Sequence, residues 1–118
     1  MRLNQWALDL AAQLASATTP VAVDPRDARV PGGVLMVRTI TPDRLAATPV
    51  TVEWDLVLLS AGATPVALDE LGVMAGDVLS RFPDLTFEAV TITDPNLAGG
   101  ADPLPALTTT ITTDCEDD

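Results

Sequence analysis

Residues 50–60, VTVEWDLVLLS, alternate in their first half, with Val50, Val52, Trp54 and Leu56 on one side of an extended chain and Thr51, Glu53 and Asp55 on the other. A period of two is the signature of a half-buried strand. After Asp55 the alternation fails, because Val57 and Leu59 are apolar on the side that had been polar. The far half of this strand is therefore expected to be covered on both sides, by another element or by another subunit.

Upstream, Leu3, Trp6, Ala7, Leu10, Leu14 and Ala17 recur at spacings of three and four, with Asn4, Gln5, Asp9, Gln13 and Ser16 opposite. That pattern predicts an amphipathic helix docked on the domain. Thr18, Thr19 and Pro20 stop it, and residues 21–23 suffice only for a short strand or an extended connection. Residues 24–33, DPRDARVPGG, are a loop by composition. A strand follows over 34–40. The connection over 41–49 is short enough to make that strand the antiparallel neighbour of the central one.

The second helix is expected after residues 61–64, with Thr64 as its cap and Pro65 in its first turn, where a missing N–H costs nothing. Its core face is read as Leu68, Leu71, Ala75, Val78, Leu79 and Phe82, with Asp69, Glu70 and Asp77 towards water and Arg81 one turn beyond Asp77. Gly72 and Gly76 lie inside it, each costing about 1 kcal/mol relative to Ala, and so point to a close backbone neighbour. Pro83 ends the helix. A strand over 85–93, a long loop over 94–105 and a Thr-rich strand over 106–113 complete the pattern, and the tail DCEDD is expected to be solvated and disordered.

The order is α-β-β-β-α-β-β, which predicts an α+β fold in which two helices pack on one antiparallel or mixed sheet. A single domain over 1–113 with an acidic tail over 114–118 accounts for the whole chain, whose 118 residues bury one core. Aromatic residues make up only 3%, so that core is built from Leu, Val, Ile and Ala.

Charge changes the picture more. The formal net charge is -11, and all six basic residues are arginines: Arg2, Arg26, Arg29, Arg38, Arg44 and Arg81. They are scattered, so nothing here neutralises a row of phosphates, and gripping DNA or RNA is not expected. The acidity serves solubility, or it repels DNA from the wall of a passage. The opening segment imitates a secretory signal, but Asn4, Gln5, Asp9 and Gln13 interrupt the apolar stretch. No uncharged run could span a bilayer, and the expected setting is inside the cell that makes the protein.

The chain has no histidine, tyrosine or lysine. The commonest general base, the Schiff-base nucleophile and the phosphate-loop cation are missing together. Ser16, Ser60 and Ser80 lie in no nucleophile elbow. Cys115 sits among Asp114, Glu116, Asp117 and Asp118, whose charge disfavours a thiolate. Glu53 and Asp55 could hold a hard cation or be the wet side of a sheet, and the second is the commoner use of such a pair. The expectation is a protein that is not an enzyme and has no cofactor or metal.

Assembly features remain. Val57 and Leu59 on the second strand face, Glu53 and Asp55 beside them, Arg26 and Arg29 in the first long loop, and Asp94 and Asp102 in the second are candidates for a subunit interface or a lumen. Arg26 and Arg29 either pair locally with Asp24 and Asp27 or form an arm that reaches a neighbour's acidic surface.

The opening amphipathic helix, the DPRD loop, TVEWDLVLL, RFPDLTFE and the closing TTTITTDCE together resemble the tail terminator, or tail completion, proteins of long-tailed bacteriophages. The resemblance implies a virion protein that forms a homo-oligomeric ring, a hexamer in that family, at the head-proximal end of the tail tube. There it ends tube polymerisation and meets the head-side connector, while DNA passes through without specific binding. It carries over no functional side chains, so the residue assignments above rest on patterning alone. The alternatives are a head-closure or neck connector of the same virion, a metal-dependent enzyme on the acidic loops, and a monomeric cytosolic regulator.

Overall fold

A computed structural model describes residues 2–24, 26, 31–42, 50–60, 66–92 and 104–115. Its elements run α1 (Leu3–Leu14), β1 (Val21–Ala22), β2 (Gly32–Pro42), β3 (Val50–Leu59), α2 (Val66–Arg81), β4 (Glu88–Ile92) and β5 (Leu104–Cys115). The strands form one sheet in the order β1-β2-β3-β5-β4, with β1 parallel to β2 and every other pair antiparallel. This is the expected α+β fold.

The alternation in β3 decides which side the helices take. Leu35, Leu56 and Thr109 share one row across the sheet, and Val37, Trp54 and Ile111 share another. Val52, Trp54, Leu56 and Leu58 point into the core, where Leu10, Ala11 and Leu14 of α1 and Leu71, Met74, Ala75 and Val78 of α2 meet them. Removing such side chains from water is worth about 1.5–3 kcal/mol each. Trp54 lies at the centre, 1% exposed, and its indole Nε1–H donates to Thr113 Oγ1 at 2.9 Å.

The far half of β3 is covered on both sides within the chain itself. Val57 and Leu59 join Val34 and Ala106 in a second buried cluster on the sheet face away from the helices, with Val90 packed against it. At the same end of the sheet, a side chain at Gly33 would require a leucine beside it to shift. A Cβ there would come within 3.2 Å of Leu58 and 3.3 Å of Leu56.

Several expectations are corrected. Leu68 is exposed, because the core stripe of α2 runs through Ala67, Leu71, Met74 and Val78, and Leu68 lies about 100° round the helix from Ala67. α1 ends at Leu14, where Ala15 is already extended, leaving Ala17 exposed outside the helix. β4 starts at Glu88 rather than residue 85, and Leu85 and Phe87 pack against the core from a non-strand segment. β5 continues to Cys115, so Asp114 and Cys115 belong to the sheet and not to a disordered tail. Among the described residues nothing lies within 4 Å of a Cβ built on Gly72 or Gly76, so none of them explains those glycines. The Thr64 cap and Pro65 fall outside the described residues.

Candidate functional site

The helices cover one face of the sheet, and the candidate site is the polar part of the other. On β3 it carries Thr51, Glu53 and Asp55, and the register sets Thr110, Thr112 and Asp114 of β5 beside them. β2 contributes Met36, Thr39 and Thr41. The pairing shifts between Val37 and Thr39, leaving Arg38 as an extra residue in a bulge.

That bulge delivers the one arginine on this face among the described residues. Arg38 Nη1 donates to Thr110 Oγ1 at 3.0 Å and stands 3.7 Å from Asp55 Oδ1, while the Thr110 hydroxyl donates to the same Asp55 oxygen at 3.3 Å. Thr51 Oγ1 donates to Asp114 Oδ1 at 3.0 Å. The Arg38–Asp55 pair is solvent-exposed, so it orients side chains more than it stabilises the fold. Glu53 makes no hydrogen bond or ion pair among the described residues. Among the described residues, with Glu53, Asp55, Glu88 and Asp114 against Arg38, the face is net acidic.

Where β4 begins, residues 84–87 diverge from β5 and open a cleft of about 700 Å³ lined by Arg38, Asp55, Asp84, Thr86, Glu88 and Thr108–Thr110. Thr109 Oγ1, in the register row of Leu56, is buried and has no hydrogen-bond partner among the described residues. Such a group costs roughly 1–3 kcal/mol of lost hydration.

The helix side holds a polar knot that the sequence showed only in part. Asp77 Oδ2 accepts from Ser16 Oγ at 2.6 Å, Thr19 Oγ1 at 3.1 Å and Arg81 Nη2 at 3.0 Å. Arg81 also donates to the carbonyl oxygens of Gln13, Leu14 and Ala15 at 2.8, 2.7 and 3.2 Å. These lie at the C-terminus of α1, where the last carbonyls have no helical partner and a cation is favoured. The Asp77–Arg81 spacing was visible as a pair four apart on α2. Its reach to α1 was not, because a contact over more than sixty positions leaves no local signal.

The Ser16 hydroxyl, with further help from Thr19 and Arg81, holds the Asp77 carboxyl below the usual carboxylate range. A depressed folded-state value means stability that is fully present above the unfolded value of about 3.9 and is lost as the pH falls through the folded one. Asp77→Asn is therefore expected to destabilise the protein at pH 7 and to do progressively less below pH ~4. Urea denaturation of both proteins from pH 7 to pH 2 checks this, and a difference independent of pH contradicts it.

The other candidate residues are placed as follows. Arg26 pairs locally, with Nη2 2.9 Å from Asp24 Oδ2, and these hydrogen bonds hold Asp24 below its ordinary value. Val57 and Leu59 are buried inside the chain, so contact with a partner on this face falls to Glu53, Asp55 and the threonines. Arg29, Asp94 and Asp102 lie outside the described residues. Cys115 is half-buried beside Thr113 Oγ1 at 3.5 Å.

Among the described residues, no three His, Cys, Asp or Glu side chains are grouped to hold a metal ion, and no helix is long and apolar enough to cross a membrane. Apolar side chains are exposed on the outer surface of α2, at Val66, Leu68 and Val73, and on β2 at Met36 and Val37. No protein-family model and no curated protein matches this sequence.

Proposed function

We propose that this chain is a structural protein of a long-tailed phage virion, a tail terminator that forms a ring at the head-proximal end of the tail tube. The ring ends tube polymerisation, bears on the tail tube protein below and the head-side connector above, and lets DNA pass without specific binding. The hexamer is the stoichiometry carried by the resemblance. The observation that bears most on this reading is the sheet face left uncovered by the helices, which among the described residues is threonine-rich, net acidic and holds a single arginine already engaged with Asp55 and Thr110. A wall of that chemistry repels phosphate, as a DNA passage requires. The exposed apolar positions on α2 and β2 are surface that neighbouring subunits or tail proteins would cover.

Immunogold labelling of purified virions tests the assignment. Gold confined to the head–tail junction is expected, and a virion without label overturns it in favour of a cytosolic protein. Label at the junction on heads that have not joined tails moves the protein to the head-closure or neck connector reading.

The lumen role of Glu53 and Asp55 makes a separate prediction. Phage carrying Glu53→Lys with Asp55→Lys should assemble tails of normal length but lose infectivity by at least tenfold, through slowed DNA passage. Equal plaque counts for variant and parent would remove this pair from the lumen.

A further inference from the structure

Two stretches of strand edge have no strand beside them among the described residues. β1 pairs only with Gly33 and Val34, so from Leu35 to Pro42 the outer edge of β2 has no strand beside it among the described residues. β4 pairs only with residues 104–108, so from Thr109 to Cys115 the outer edge of β5 is open in the same sense. Among the described residues each edge presents outward backbone donors and acceptors with no strand to pair them, a liability that soluble proteins commonly keep short. The two lie on opposite sides of β3 and run in the same direction, since each is antiparallel to it.

We infer that β5 of one copy pairs through residues 109–115 with the free edge of β2 of the next copy, so that a parallel strand pair joins neighbouring subunits of the ring. The inference rests on the ring reading above and adds the joint. A contact between two different surfaces of identical chains is head-to-tail, and such contacts close into rings when the rotation allows, whereas edge-to-edge pairing of one strand with its own copy stops at a dimer.

Charge selects between these arrangements. Arg38 is the only charged residue of β2, while β5 and its flank carry Asp114, Asp84 and Glu88. Pairing β5 with β5 would bring these carboxylates together, and pairing β2 with β2 would oppose two arginines. Only β5 against β2 sets unlike charge together. The exposed side chains of Met36 and Val37 stand on the edge that would be covered.

Cys115, the only cysteine, lies within this edge and makes the joint testable in assembled tails. Met36→Cys, Val37→Cys, Thr39→Cys and Thr41→Cys are introduced singly. Each is combined with the native Cys115 and, separately, with Thr112→Cys in a Cys115→Ser background. Tails purified from each phage are oxidised mildly and blotted on a non-reducing gel. At least one combination is expected to give a ladder of covalent multimers up to the ring, which collapses with reductant and is absent from the β2 cysteine with Cys115→Ser alone. Rings visible in the micrographs of the same tails with nothing larger than a dimer on any gel would overturn the joint while leaving the ring standing. Tails without a ring would sink the ring reading as well.

Discussion

Trp54→Ala is expected to remove about 3–5 kcal/mol of stability. The side chain is 1% exposed at the middle of the central strand, with both helices packed on its side of the sheet. Truncation leaves a cavity that α1 and α2 cannot both close, because Leu14 and Val78, each 0% exposed, are already held by their own neighbours. It also takes the indole N–H from Thr113, whose hydroxyl keeps only the Cys115 sulfur nearby. For a domain of this size, with total stability of about 5–15 kcal/mol, the variant sits close to unfolding. Urea denaturation followed by far-ultraviolet circular dichroism measures it. A loss below about 1 kcal/mol would mean that this tryptophan is not the centre of the core.

Arg81→Ala is expected to cost about 2–3 kcal/mol, more than an exposed ion pair four residues apart could account for. The guanidinium holds the last carbonyls of α1 as well as Asp77, so its loss leaves the α1 C-terminus uncapped and Asp77 without its cation. Arg81→Lys should recover little, because one ammonium cannot reach three carbonyl oxygens and a carboxylate in that geometry. Amide hydrogen exchange should rise in α1 well before it rises in β3. If instead the variant loses no more than about 0.5 kcal/mol, Arg81 is only half of a surface pair.

These two residues also mark how far the sequence could be read. Trp54 was legible because strand alternation is local, and one face of residues 50–56 names the core side directly. The element order followed from the same periodicity together with Pro20, Pro83 and the turn-rich stretches. Arg81 was legible only as a partner for Asp77. Its role at the end of α1, like the grouping of Ser16 and Thr19 on Asp77, depends on how the helices cross, and that is set by packing on the sheet.

The phase of α2 was misread for a related reason. Ala67 and Met74 are less conspicuous than Leu68, yet the helix turns them inward because they share the buried stripe that runs through Leu71 and Val78. At the candidate site, Glu53 and Asp55 were recognisable as the polar side of a strand. The bulge that brings Arg38 onto Asp55 was not, since nothing in VLMVRTI breaks the pattern around one extra residue. The apolar Val57 and Leu59 were correctly read as covered, since both are buried within the chain, where they cluster with Val34, Ala106 and Val90 of the same sheet.

The acidic face and the two strand edges that have no strand beside them among the described residues derive their proposed meaning from one claim, that the protein closes the tail tube as a ring. Electron microscopy of lysates from phage lacking this gene tests that claim most directly, by comparing tail length and head attachment with the parent. Overlong tails without heads are the predicted result. Infectious particles with tails of parental length would contradict it.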